Sequence, residues 1–145
     1  MKSIFALPLM LLASSSFAAC NLEVEANDAM RFNLPEMAVD ASCKEVTVKL
    51  KHVGKLPAAS MGHNWVLAKT TDVAPLATAG MSAGAANSYL PAGDARVLAA
   101  TKVIGGGEET EVKFDLSKLE KGGDYSFFCS FPGHWAIMKG KFVIK

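Results

Sequence analysis

Residues 44–52, KEVTVKLKH, alternate apolar and polar side chains without a break: Val46, Val48 and Leu50 face one way, Glu45, Thr47, Lys49 and Lys51 the other. Successive side chains of an extended chain point to opposite faces, so this pattern suits a strand buried on one side and does not suit a helix. NLEVEAND, residues 21–28, repeats it, and further strand candidates lie at 63–69, 95–103, 110–116, 124–129 and 138–145, divided by turn clusters such as GGGEE and EKGGD. Many short strands separated by Gly-rich turns predict an all-β sandwich or barrel. Residues 70–92 break the texture. There Ala, Gly, Ser and Met follow one another without alternation, and TDVAPLATAGM predicts an insertion with a short helix capped by a Thr or Asp.

The first twenty residues, MKSIFALPLMLLASSSFAAC, have the three-part form of a secretory signal: Lys2, an apolar run from Ile4 to Leu12, then small residues. Ser16 and Ala18 occupy the small positions of a cleavage site, so residues 1–18 are read as a leader and residues 19–145 as one domain. The run is too short to span a bilayer. A rival reading is a lipoprotein signal, with FAAC leaving Cys20 acylated. Removing the leader takes away Lys2 alone, so the balance of 15 basic against 14 acidic residues becomes 14 against 14. A neutral domain of this kind is no nucleic-acid binder. Its length suffices for one core, and no metal is required merely to fold it.

Three cysteines in an oxidising compartment form one disulfide and leave one thiol. Joining Cys20 to Cys43 would tie the first strand to the second and leave Cys129 unpaired. Cys129 opens CSFPGHWAIMKG, residues 129–140, which also holds His134 and Met138. With Cys129 ending one strand candidate and Met138 beginning the next, a hairpin connection gathers a thiol, an imidazole and a thioether. These donors suit a soft or borderline ion, and two histidines, a cysteine and a weak axial methionine make the type 1, blue-copper set. The second histidine is taken from His52 and His63. MGHNW puts His63 after Gly62, where backbone can approach a metal closely, and His63 is preferred. His52, at the end of an alternating strand, reads as a partly buried histidine bonded to backbone.

The C-x4-H-x3-M loop and MGHNW, with NDAMRF, YSFFC and the Cys20–Cys43 spacing, resemble the azurins, a branch of the bacterial blue-copper cupredoxins. The resemblance spans essentially the whole of residues 19–145, and the gap between Cys129 and His134 is longer than in plastocyanin-like members. It implies a Greek-key, cupredoxin-like sandwich and one copper ion cycling between Cu(I) and Cu(II). It further implies equatorial ligands His63, Cys129 and His134, a long axial contact from Met138, and the Gly62 carbonyl opposite. Asn64 and Phe131 would surround the sulfur, with backbone N–H groups dispersing the thiolate charge. His134 would be the electron port, within an apolar patch of Met30, Leu56, Met61, Phe131, Pro132, Gly133 and Ala136.

The function so implied is a periplasmic electron carrier, not an enzyme, working as a monomer between redox proteins such as c-type cytochromes and nitrite reductase-type acceptors. A copper-delivery protein would share the ligands but exchange its metal readily. A zinc hydrolase would leave Met138 without a role. Trp65 is expected in the core and Tyr125 as a corner tyrosine. Trp135 reads as loop packing, with widening of the patch as the alternative. Ala100 stands where some azurins carry a surface histidine, so an accessory metal position there is not expected.

Overall fold

A computed structural model describes residues 19–145; the expected leader, residues 1–18, lies outside them. The described residues form nine strands: β1 (Asn21–Asn27), β2 (Arg31–Phe32), β3 (Glu36–Val39), β4 (Glu45–His52), β5 (Val66–Lys69), β6 (Ala99–Ala100), β7 (Glu109–Asp115), β8 (Tyr125–Phe128) and β9 (Lys139–Ile144). They make a four-stranded sheet ordered β2-β1-β4-β7 and a five-stranded sheet ordered β3-β9-β8-β5-β6. The chain passes repeatedly from one sheet to the other, so each contains a parallel pair: β1 beside β4 and β3 beside β9. The remaining pairs are antiparallel. This is the expected all-β sandwich.

The alternation in β4 determines which face is buried: Val46, Val48 and Leu50 are fully covered, as a half-buried strand requires. Opposite them lie Trp65, Phe127 and Phe142, with the indole stacked on Phe127 at 6.1 Å and meeting Phe142 edge-on at the same distance. Trp65 is thus a core residue. Its buried Nε1–H has no partner among the described residues, and such a donor costs about 1–3 kcal/mol. The packing of so large a ring offsets that cost. Tyr125 has the corner role: its hydroxyl accepts a hydrogen bond from the Glu120 N–H at 2.9 Å.

Several local expectations change. The candidate at 95–103 shrinks to the two residues of β6, because Asp94 accepts hydrogen bonds from the Arg96 backbone and guanidinium and coils the segment before it. β2, of two residues, is too short to display a period, and β3, of four, lies outside the strand candidates. In the insertion, α2 (Val73–Ala83) follows a helical turn at Thr70–Asp72. Asp72 sits at its N-cap but makes no side-chain capping bond. Its backbone is already helical, whereas a capping carboxylate needs extended φ/ψ. A short helix, α1 (Ala58–Met61), leads into Gly62.

Cys20 and Cys43 are joined, with Cα atoms 5.7 Å apart. The bond closes a loop of 23 residues between the start of β1 and the entry to β4. Its sulfur is therefore not available for an acyl chain, which removes the lipoprotein alternative. Replacing both cysteines by alanine should cost about 3 kcal/mol through unfolded-chain entropy. Thermal melts of the oxidised protein would register this as a drop in Tm on the order of 10 °C.

Candidate metal centre

Two segments distant in sequence converge at one end of the sandwich. His63 is fixed first through its backbone, which exchanges two hydrogen bonds with Ile104, N–H to Ile104 O at 3.0 Å and Ile104 N–H to His63 O at 2.9 Å. Its ring Nε2 lies 2.8 Å from the Asn27 carbonyl oxygen at the end of β1. A carbonyl only accepts, so Nε2 carries the proton and Nδ1 presents a lone pair. Gly62, just before it, is closely packed. A Cβ there would fall 2.5 Å from both the Ala58 carbonyl oxygen and a Val103 methyl, so only glycine lets α1 and the neighbouring loop close over the site.

The second segment is the β8–β9 connection. The Cys129 N–H bonds to the Met138 carbonyl at 3.1 Å, while the Met138 and His134 N–H groups bond to the carbonyls of His134 at 2.8 Å and Phe131 at 3.0 Å. These bonds fold the loop back so that Cys129, His134 and Met138 all point inward. Cys129 and Met138 are fully buried, and His134 keeps only 3% of its surface.

From Cys129 Sγ, the Nδ1 atoms of His63 and His134 lie 3.8 and 3.7 Å away, and the three donor atoms lie within 4.8 Å of one another. Two ligand bonds of about 2.0–2.3 Å opened at about 120° span about 3.7 Å, so the spacing suits one ion shared by a sulfur and two nitrogens. The Gly62 carbonyl oxygen is 3.9 Å from the same sulfur.

Electrostatics favours the same use. Burial, partly opposed by the bond to Asn27, pushes the His63 pKa down to about 4, and burial also lowers that of His134. Both rings are therefore neutral near pH 7 and available as ligands. Burial raises the Cys129 thiol to about 12, against the pull of backbone N–H groups from Asn64 and Phe131. In its dry pocket the thiol keeps its proton until a cation displaces it.

Around these donors, Asn64 is clamped between strands: its Oδ1 accepts from the Ser130 N–H at 2.8 Å, and its Nδ2 donates to Ser130 Oγ at 2.8 Å and to the Ser88 carbonyl at 3.3 Å. Phe131 packs on His134 at 4.6 Å. His52 is buried, its ring stacked on His63 at 4.5 Å. Its Nδ1 accepts from the Gly54 N–H and its Nε2 donates to the Met61 carbonyl, so it is a backbone-bonded histidine outside the donor cluster. Trp135 leans on the cluster of Val66, Ala68, Val73, Leu76 and Phe128, with the Lys139 ammonium 5.8 Å from its ring centroid. This is loop packing.

Of the expected patch, Leu56, Pro132, Gly133 and Ala136 are exposed, while Met30, Met61 and Phe131 are half-buried. Ile137, 60% exposed, and Val53, 55% exposed, are further apolar loop residues that the sequence reading omitted. Ser130, Ser88 and Tyr89 were also missed. Only the adjacency of Ser130 to Cys129 could have suggested the first.

The family model for copper-binding proteins of the plastocyanin/azurin family matches residues 18–145. The chain is 61% identical over 123 residues to an azurin of Achromobacter denitrificans, covering 85% of this chain and 83% of that one. An azurin of Alcaligenes faecalis is 59% identical over 122 residues, covering 84% and 95%. Among solved structures, an azurin (Az-iso2) from the obligate methylotroph Methylomonas sp. strain J superposes with a TM-score of 0.85 at 46% identity, covering 88% of this chain and 99% of the other.

Proposed function

The chain belongs to the plastocyanin/azurin family of copper-binding proteins, and from that premise we propose how its residues hold copper and pass an electron. It is an electron-transfer protein, not an enzyme, and copper is its cofactor. Copper would be held by His63, Cys129 and His134, with Met138 and the Gly62 carbonyl as weaker contacts. The observation that carries this reading is the convergence of one buried thiol and two neutral imidazole Nδ1 atoms at 3.7–3.8 Å. Bound there, copper supplies a one-electron couple.

The protein's contribution is to keep these donors still. Asn27 fixes the His63 tautomer, the hairpin bonds fix His134 and Met138, and the N–H groups of Asn64 and Phe131 spread the sulfur's charge. Donors held by bonds of their own move little when the charge at the centre changes, so little reorganisation opposes transfer. The edge of His134 is the port. The apolar residues Leu56, Pro132, Gly133, Ala136 and Ile137, with Met30, Met61 and Phe131, form a small dry surface for brief docking. Partners are soluble redox proteins such as c-type cytochromes and nitrite reductase-type acceptors. The protein acts as a monomer in the periplasm, reached through the leader at 1–18; no helix among the described residues is long and apolar enough to cross a membrane.

The visible spectrum of the copper-loaded protein tests the ligand set: an intense thiolate-to-copper charge-transfer band is expected, and its absence would overturn the assignment. Met138→Leu should leave copper bound and raise the reduction potential, since a weak electron-donating contact is lost. Voltammetry showing an unchanged or lowered potential would remove Met138 from the axial position.

A further inference from the structure

Besides the packing of Trp135 on α2, the helical insertion touches the copper loop through a turn at Ser88 and Tyr89, where the chain is forced into an unusual conformation. Ser88 and Tyr89, consecutive and neither of them glycine, both have left-handed backbones, with φ of 52° and 53°. This region is sparsely populated by residues with side chains and persists where the surroundings fix it. Here the surroundings are specific. The Ser88 carbonyl accepts hydrogen bonds from the Ser130 hydroxyl at 2.8 Å and from Asn64 Nδ2 at 3.3 Å, and Ser88 Oγ accepts from the Val103 N–H at 3.1 Å. The Tyr89 ring meets Phe131 edge-on at 5.2 Å, and Phe131 in turn packs on His134 at 4.6 Å.

The turn is seated from behind by α2. Gly80 is buried, and a Cβ on it would lie 1.9 Å from the Tyr89 carbonyl oxygen. A methyl group at that position forces the helix and the turn apart.

We infer that Ser88 and Tyr89 are positioning residues for the copper loop: the insertion buttresses it, Ser88 through Ser130 and Asn64 beside Cys129, Tyr89 through Phe131 onto His134. The inference rests on Cys129 and His134 being ligands. It gives residues 70–92 a role in setting the redox centre that their small, featureless side chains do not suggest. The buttress acts on orientation, since Ser88 and Tyr89 contact Ser130, Asn64 and Phe131. Aromatic contacts of this kind are directional, so losing one frees the partner ring to turn.

Tyr89→Leu keeps apolar bulk but removes the ring edge, and Gly80→Ala disturbs the seat without altering any residue of the loop. In the copper-loaded full chain, Tyr89→Leu should shift the reduction potential and the charge-transfer band and slow electron self-exchange. In the copper-free chain it should speed hydrogen exchange at the His134 and Met138 amides. Gly80→Ala should reproduce these changes from a distance, and Tyr89→Phe, which retains the ring, should restore the parent values of all four. Val46→Ala, in the core at the far end of β4, should lower Tm and leave potential and band unchanged. Parent values throughout in Tyr89→Leu would overturn the inference, whatever Gly80→Ala shows. A parent protein without the charge-transfer band would instead overturn the ligand reading, and amide exchange in the copper-free chain would still report on the buttress.

Discussion

Cys129→Ser is expected to abolish the visible charge-transfer band of the copper-loaded protein completely. The band requires a soft thiolate bound to the metal, and Cys129 is the sole cysteine of the described residues outside the disulfide. A serine hydroxyl in the same fully buried position would have to ionise from a far higher pKa without help from solvent. The two imidazoles are fixed by Asn27 and by the loop, independently of the sulfur, so copper should still bind, but weakly and without colour. Absorbance and copper stoichiometry measured on the same sample separate these effects. A retained band would show that another group supplies the sulfur.

The copper-free protein should lose about 3 kcal/mol of stability between pH 6.5 and pH 4 through His63 alone, each unit of pKa shift corresponding to about 1.4 kcal/mol. The sign follows from its folded pKa of about 4, below the ordinary 6.5. Within that window the unfolded chain takes up a proton that the native state refuses, so stability falls as the solution is acidified and is fully present above pH 6.5. His134, shifted the same way by burial, adds to the loss. Asp94, held down to about 2 by Arg96, is lost only in more acid solution and does not blur the effect. Denaturant titrations across this range check it. A flat stability from pH 6.5 to 4 would mean that the His63 ring is solvated, contrary to its complete burial.

The sandwich was legible wherever a strand was long enough to show its period. β1 and β4 coincide with the two alternating segments, each packing one face against the core and leaving the other wetter, and β7 and β9 fall close to strand candidates with the same burial pattern, whereas β8, buried on both faces, is marked by its apolar run between turns. β2 and β6, of two residues each, could not display a period. Their pairing is set by neighbours remote in sequence, Ala26 opposite Phe32 and Val66 opposite Ala100. The cluster of His63, Cys129 and His134 was legible because a lone thiol and imidazoles have few uses and stand in two short motifs. Of the groups that steady them, Asn64 and Phe131 were expected beside the sulfur, but the backbone acceptors were not. The Asn27 carbonyl and the Ser88 carbonyl act through backbone atoms that every residue possesses, and no letter of the sequence marks them. Trp135 shows the reverse: a conspicuous letter beside His134 that serves chiefly to pack the loop on the Val66–Phe128 cluster.

The bond from His63 Nε2 to the Asn27 carbonyl has a mechanical consequence. Asn27 belongs to the four-stranded sheet, whereas the sulfur facing the other side of that ring follows β8 of the five-stranded sheet. The imidazole is thus a strut between two plates, anchored to one and loaded against the other. If one plate slides past the other, the strut rotates and its lone pair swings away from the sulfur. The stiffness of the whole sandwich, down to the Cys20–Cys43 rivet, is therefore part of the instrument that holds a redox centre to one setting.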